Sequence, residues 1–381
     1  MFDKVFQYNF PTTIRFGAGA VKELPEYLQK NNLKSPLIVT DPVVASLDFF
    51  KKIVTDIKQK NMAVCVFADI HKNPVKSDVY KGADAYDQSK SDCIIGIGGG
   101  AAIDVARAIA LRINHREDLF VYDDLIGGDV YVTNDVPHFI TIPTTAGTGS
   151  EVGRSAIIAD DETHQKKILF SPKLLAKIIF ADPMLTMELP PAVTAATGMD
   201  ALTHNMEAYI AKMPHPLCEG IALEGISLIS QSIERAVNKP DLESRSNMLI
   251  ASLMGAVAFQ KGLGVVHSLA HPLSSLLDTH HGLANAINLP YGMEFNIEGS
   301  EDKFRKIART LELNNETGQG VVAYLQELNS KIGIPSQLRS IGVKEEHLDT
   351  LADLALADFA HPNNPKPVSR EDFRNLYSKA L

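Results

Sequence analysis

Residues 93–110 read CIIGIGGGAAIDVARAIA, an apolar run, three glycines and a segment of helical spacing in succession. Cys93 to Ile97 is a short isoleucine-rich run, the pattern of a strand buried on both faces. Gly98, Gly99 and Gly100 end it, and Ala101 to Ala110 carries helical spacing. The stretch therefore predicts a strand, a tight turn and a helix. Such a glycine turn lets the backbone come close to a ligand, and the helix it opens offers free N–H groups to an anion such as a pyrophosphate. A strand-to-helix turn without a ligand needs the same glycines, so the loop alone does not decide function.

The same alternation continues on either side. Leu37 to Thr40, Ala63 to Phe67, Phe139 to Ile142 and Lys177 to Phe180 read as further buried strands, each closed by Gly, Pro or Asp. Ala20 to Lys30 and Leu47 to Lys60 carry helical spacing between them. Strand–helix alternation predicts a parallel sheet covered by helices. The usual dinucleotide fingerprint places an acidic residue about 20 positions after the glycines. Here the best candidate, Asp41, comes before them, at the end of the Leu37 to Thr40 strand. The strand order is therefore expected to be Rossmann-like but not standard. A second loop, Pro143 to Glu151, follows the strand Phe139 to Ile142 and packs Thr144, Thr145, Thr148 and Ser150 with two glycines. Its hydroxyls suit phosphate, ribose or a carboxamide, although Ser/Thr-rich turns also satisfy their own backbone. Two such loops are expected to meet at the carboxyl edge of the sheet, where open α/β folds bind ligands.

Beyond Asp182-Pro183 the strand pattern stops. Ala192 to Lys212, Glu219 to Asn238, Leu242 to Gln260, Asp302 to Leu311 and Glu345 to Ala357 all read as helices. The expected organisation is an α/β nucleotide-binding domain over 1–184 and an all-α metal-binding domain over 185–381. A chain of 381 residues suits two cores better than one. With 45% hydrophobic and 22% charged residues it has a globular composition, which argues against disorder, collagen and coiled coil. No apolar run approaches the roughly 18 residues of a membrane helix, and the opening MFDKVFQYNF lacks the pattern of a secretory leader. A formal charge of −9 argues against nucleic acid as a partner. Three scattered cysteines fit reduced thiols and a cytoplasmic setting.

The twelve histidines are unevenly spread. Asp200 and His204 are four apart, which places both on one helix face, one turn apart. His267 and His271 repeat the offset, and His280 and His281 follow. Pairs of this kind present two ligands to a divalent metal. Each pair alone reads more readily as an exposed helix face or a core histidine satisfied by backbone; two pairs and a further histidine among small and apolar residues favour a metal. Six candidates are too many for a catalytic site, which needs an open position. Three imidazoles and one carboxylate suit iron(II) or zinc, and spacing does not separate the two.

Together these residues resemble the iron-containing (group III) alcohol dehydrogenase family. The likeness runs from the Phe16-Gly17-Ala18-Gly19 turn to Pro367–Phe373, and is most specific over Asp182 to Glu207 and Gly262 to Gly282. The resemblance implies an NAD-dependent enzyme that interconverts small primary alcohols, diols or semialdehydes with their aldehydes. It implies Fe2+, with Zn2+ possible, held by Asp200, His204, His267 and His281. The catalytic histidines would be His267, through the metal, and His271, beside the nicotinamide as proton relay; His280 would have no role. It further implies Asp41 near the adenosine ribose, Asn73 near the diphosphate, and Gly99, Gly100, Ala101 and Asp104 around phosphates and nicotinamide. Thr144, Thr145 and Thr148 would line the adenine and ribose side, with Lys166 as a ribose contact. An acid at Asp41 would repel a 2′-phosphate, favouring NAD over NADP. A homodimer or larger homo-oligomer is implied as well. Ala101-Ala102 replaces a frequent Ser-Pro, and Lys72-Asn73-Pro74 a usual Pro-Asn-Pro. A cation at Lys261, with Gln260, is expected to bias the pocket towards substrates bearing a carboxylate. Rival readings are a zinc polyol (glycerol-type) dehydrogenase and a dehydroquinate-synthase-like lyase, the latter disfavoured because few basic residues surround Asp200 and His267.

Overall fold

The computed structural model describes Phe10 and Thr12–Leu381. The leader reading rests on Met1–Phe10, nearly all of which lies outside the described residues. The chain divides into two compact units: Phe10–Thr145 with Gly149–Met187, and Glu188–Leu381 with Ala146–Thr148.

In the first unit the strands are β1 (Thr13–Phe16), β2 (Pro36–Val39), β3 (Cys65–Phe67), β4 (Cys93–Gly98), β5 (His138–Pro143), β6 (Ser155–Ala159), β7 (Lys166–Phe170) and β8 (Ile178–Ala181). Six of them form one sheet in the order β1-β8-β5-β4-β2-β3, all parallel. The order differs from the standard dinucleotide fold, as the position of Asp41 required. Every residue of β2 and β4 is buried, which is why both read as unbroken apolar runs. Helices α1 (Leu24–Lys30), α2 (Pro42–Ser46), α3 (Asp48–Lys58), α4 (Lys76–Ser89) and α5 (Gly100–Asn114) complete the unit. Leu24 and Leu28 of α1 and Phe50, Ile53 and Ile57 of α3 pack on Ile38, Ile95, Ile140 and Ile178 of the sheet. Each such side chain contributes about 1.5–3 kcal/mol of burial. The sequence reading missed β1, α4 and the antiparallel hairpin β6–β7.

The order sets β5, β4 and β2 side by side, so their carboxyl ends are neighbours: Thr144, Gly98–Gly100 and Asp41. Helix α5 lies close over β4, where a Cβ on Gly96 would meet the Ala106 Cβ at 2.9 Å. That closeness aims the α5 N-terminus at the edge.

The second unit is helical: α6 (Pro191–Ile210), α7 (Pro216–Asn238), α8 (Leu242–Ala258), α9 (Val265–Leu277), α10 (His281–Phe295), α11 (Glu301–Thr310), α12 (Gly318–Lys331), α13 (Leu348–Leu356) and α14 (Arg370–Ala380). Helix α6 is central, buried without a break from Thr194 to Ile210. A helix buried all round has its polar side chains aimed into protein, and α6 carries Asp200, His204 and Glu207. None of the described helices is long and apolar enough by itself to cross a membrane. The three cysteines are unpaired.

Lys261 corrects one expectation. It is fully buried, and its Nζ donates to the carbonyls of Tyr209 and Ala211 at 2.8 Å each and pairs with Glu219 Oε1 at 3.1 Å. These are the free carbonyls at the end of α6, where helix polarity attracts a cation. Gln260 Nε2 donates to the Val257 carbonyl at 2.8 Å. Lys261 is thus a buried cap on the end of α6, its ammonium engaged by those carbonyls and Glu219.

Candidate metal centre and cofactor edge

Helix α6 carries Asp200, His204 and Glu207 at one-turn spacing, and α9 and α10 bring their first turns against it. At the start of α9, Glu207 Oε1 accepts from Val266 N at 2.7 Å and Oε2 from Gly264 N at 3.1 Å. The same Oε2 lies 2.6 Å from His267 Nδ1. A carboxylate at a helix N-terminus is doubly favoured, by the free N–H groups and by the helix dipole. With Nδ1–H donated to Glu207, His267 turns the lone pair of Nε2 towards Asp200, 4.0 Å away. Burial lowers the basicity of His267, but the hydrogen bond and charge of Glu207 outweigh it and raise the net value.

Helix α10 begins at His281, whose Nε2 lies 3.4 Å from Asp200 Oδ1. Its close approach to α6 needs Gly282, since a Cβ there would sit 2.4 Å from the Ala196 carbonyl oxygen. His280 caps α10, its Nδ1 accepting from Leu283 N at 3.4 Å. Ligand atoms of Asp200, His267 and His281 all fall within 4.8 Å of one another. His204 is buried outside that tight group. Its ring stacks on His267 at 4.6 Å, with Phe259 tilted against it at 5.2 Å, and burial pushes its pKa down to about 4.

Asn285, one turn after His281, was not anticipated. Its Nδ2 donates to Asp200 Oδ1 at 2.7 Å and lies 3.1 Å from His281 Nε2 and 3.3 Å from His267 Nε2. Two amide hydrogens do not satisfy three converging groups, and a carboxylate with two imidazoles is a donor set for a divalent first-row metal. The residues present fit such an ion.

His271 stands apart from the cluster atoms. Its ring stacks on His281 at 5.3 Å and on Phe359 at 5.2 Å, and its Nδ1 lies 2.8 Å from Asp358 Oδ2. Asp358 Oδ1 accepts from Ser268 Oγ at 2.6 Å and from Ala360 N at 2.9 Å. Burial would raise the Asp358 carboxyl, yet the His271 charge and these bonds hold it below its ordinary range. Glu207, Asn285, Asp358 and Phe359 all escaped the sequence reading.

At the sheet edge, Asp41 caps α2: Oδ1 accepts from Val43 N and Val44 N, both at 2.9 Å. Oδ2 lies 3.5 Å from where a Gly98 Cβ would stand. Gly98 has φ +151°, in the region that favours glycine, and a Cβ there would also meet Ala102 at 2.7 Å. Gly99 caps α5 with no side-chain hydrogen bond, so Gly100 and Ala101 open the helix with N–H groups facing the edge. Thr144 N donates to the Gly98 carbonyl at 3.0 Å, and Thr145 Oγ1 stands 3.3 Å from a Gly99 Cβ position. Thr148 belongs with the loop tip Ala146–Thr148, which clusters with the helical unit, where the Gly147 carbonyl accepts from Ser252 Oγ at 3.1 Å.

Asp104 is held by neighbours within the sheet unit. Its Oδ1 accepts from Ser150 Oγ at 2.5 Å and Arg107 at 3.0 Å, and its Oδ2 from Ile157 N at 3.1 Å. It braces the threonine loop from behind. The Asn73 loop is pinned by buried Asp78, whose Oδ2 accepts from His71 N and Val75 N at 3.1 Å each. Val75 bridges to Ala159, which pairs with Lys166, so Asn73 and Lys166 belong to one corner of the sheet unit.

A profile of iron-containing alcohol dehydrogenases matches residues 11–183, and one of the C-terminal region of the same family matches residues 194–381. The chain belongs to the iron-containing alcohol dehydrogenase family. It is an oxidoreductase of that family, and its fold is the family fold. It is 36% identical to a 4-hydroxybutyrate dehydrogenase of Cupriavidus necator over 380 residues, 97% of this chain and 98% of that protein. The crystal structure of a 1,3-propanediol oxidoreductase superposes with a TM-score of 0.95 at 32% identity, covering 99% of this chain and all of that one. A sulfoacetaldehyde reductase from Bifidobacterium kashiwanohense, solved in complex with NAD+, gives 0.88 at 25% identity, with 99% of each chain covered.

Proposed function

We propose that this iron-containing alcohol dehydrogenase is an NAD-dependent enzyme that oxidises small primary alcohols, diols or hydroxy acids and reduces the matching aldehydes or semialdehydes. The observation that carries the reading is the convergence of Asp200, His267 and His281 within 4.8 Å, beside His271 on its own carboxylate. Asp200, His204, His267 and His281 would hold a divalent metal, iron or zinc. A metal there supplies a Lewis acid for the substrate oxygen, and NAD supplies the hydride acceptor.

The chain's residues do the rest. Glu207 keeps the His267 proton on Nδ1, which leaves the Nε2 lone pair available and would let it hold the metal. Asp358 fixes the His271 ring, and the remaining ring nitrogen carries the alcohol proton outward. Phe259 and Phe359 place apolar rings against His204 and His271 and disfavour water there. Asp41, Asn73, Gly99, Gly100, Ala101, Thr144, Thr145, Thr148 and Lys166 would bind NAD, with Asp41 disfavouring NADP by charge. Asp104, hydrogen-bonded to Ser150 of the threonine loop, would stand with them around the phosphates and nicotinamide. The same reading takes the protein as a cytoplasmic homo-oligomer, its mass in solution being measurable by light scattering.

The test loads the chelator-stripped protein with Fe2+ or Zn2+, adds NAD and a panel of short alcohols, diols and 4-hydroxybutyrate, and follows absorbance of the reduced nicotinamide. Metal-dependent turnover of at least one substrate is expected. No metal-dependent signal across the panel would sink the reading.

A further inference from the structure

Asn285 sits where an apolar side chain would pack without polar cost. It is fully buried on α10, and its Oδ1 finds no donor among the described residues. Leaving a buried amide oxygen without a donor is unfavourable. What the amide gains lies on its other side, where Nδ2 stands 2.7 Å from Asp200 Oδ1 between the Nε2 atoms of His267 and His281. The orientation follows from charge: an amide oxygen turned inward would face the Asp200 carboxylate at the same short distance.

Beyond Nδ2, that oxygen has only the imidazole nitrogens His281 Nε2 at 3.4 Å and His267 Nε2 at 4.0 Å close by among the described residues, and Asp200 sits on α6 while His281 sits on α10. Asn285, one turn along α10 from His281, spans the two helices. A hydrogen bond to Oδ1 restrains the carboxylate from turning and keeps it facing the two imidazoles. We propose that Asn285 is a positioning residue of the metal centre, fixing Asp200 through Nδ2 so that the carboxylate, His267 and His281 stay in ligand geometry across α6, α9 and α10. This rests on the metal reading above. Partners of this kind, which orient a ligand, typically change metal affinity 10–100-fold when lost.

The experiment measures Co2+ and Zn2+ affinity of the full chain by competition with a chromophoric chelator. The variants are Asn285→Ala and Asn285→Leu, the second keeping side-chain volume without a donor. Both are expected to bind roughly 10–100-fold more weakly than wild type, with an altered visible spectrum of the Co2+ form. Melting curves recorded in excess chelator check that the variants fold. Affinity within twofold of wild type in a folded variant overturns the proposal. Should neither variant fold, a crystal structure of the metal-loaded wild type decides: Nδ2 bonded to Asp200 supports the proposal, and an amide turned away overturns it. Two controls separate this from the metal reading itself. If wild type takes up no metal, or Asp200→Ala takes up as much as wild type, the metal reading fails; if both controls behave, only the role of Asn285 is at stake.

Discussion

The helical unit and the sheet unit prepare for ligands with different materials. In the helical unit the candidate site is made of side chains, each steered by a second buried group: His267 by Glu207, His271 by Asp358, Asp200 by Asn285. In the sheet unit it is made of backbone, namely the Gly98–Gly100 turn, the α5 N-terminus and the threonine loop, braced from behind by Asp104 and Arg107. A side-chain site is as fragile as each of its members. A backbone site depends on the shape of a loop, and many donors share the load. Single substitutions should therefore cost more in the first than in the second.

The largest contrast is expected between Asp200→Ala and Thr145→Ala. Loss of Asp200 removes the only carboxylate of the cluster. It should release the metal and lower kcat/KM by roughly 1000-fold or more, since metal polarisation supplies several kcal/mol. Thr145→Ala removes one neutral hydrogen-bonding group, worth about 1 kcal/mol, and should raise the KM for NAD less than about tenfold. Equal losses in the two variants would break the comparison. Asp358→Asn should come next. Its shape is kept but its charge is lost, so His271 is less firmly held in one tautomer, and kcat should fall by roughly 10–100-fold with metal content unchanged. A parallel loss of metal would show that Asp358 acts through the ligand set instead.

The difference in materials also explains what was legible in the sequence. A metal needs particular side chains, and helical offsets such as Asp200/His204 survive in the linear chain. The glycine and threonine loops were legible as loops, but nothing in them separates a phosphate cradle from a tight turn. Spacing alone left six ligand candidates, because it does not say which ring nitrogens converge. The steering groups were invisible for a plainer reason: Glu207 and His267 are 60 positions apart, Asn285 and Asp200 are 85 apart, and Asp358 and His271 are 87 apart. Only tertiary packing joins them, although Glu207 does lie on the Asp200–His204 face. Among the strands, β2 and β4 were read because they are buried throughout, whereas three of the four residues of β1 are exposed and it shows no apolar run.

Glu151 sharpens the comparison from the sheet side, because it is a buried carboxyl that backbone binding does not require. It closes the threonine loop, its Oε1 has no hydrogen-bond partner among the described residues, and burial pushes its pKa up from 4.5 to about 7. Below pH 4.5 the group is protonated in both folded and unfolded chains. Between about 4.5 and about 7 the folded state holds the extra proton, so stability falls as pH rises through this window. Glu151→Gln removes the titration. The variant should lose this pH dependence and be more stable than wild type by about 3 kcal/mol at pH 8. The difference should shrink towards pH 4.5 in urea melts. A constant offset across that range would show that Glu151 is not titrating there.

The smallest effect on catalysis is expected at Lys261, where a sequence-based expectation and the fold disagree. A cation a few residues before a metal ligand suggests recognition of a substrate carboxylate, and 4-hydroxybutyrate is the substrate named for a relative. Yet the ammonium is buried on the carbonyls of Tyr209 and Ala211 and on Glu219, and Lys303 donates to the same two carbonyls at 3.0 and 3.2 Å. Lys261→Met should therefore cost about 1–2 kcal/mol of stability, softened because Lys303 still caps α6. The ratio of kcat/KM for a semialdehyde acid over a neutral aldehyde of equal length should stay within twofold. A selective loss on the acid would return Lys261 to the pocket, and would mean that the end of α6 opens during turnover.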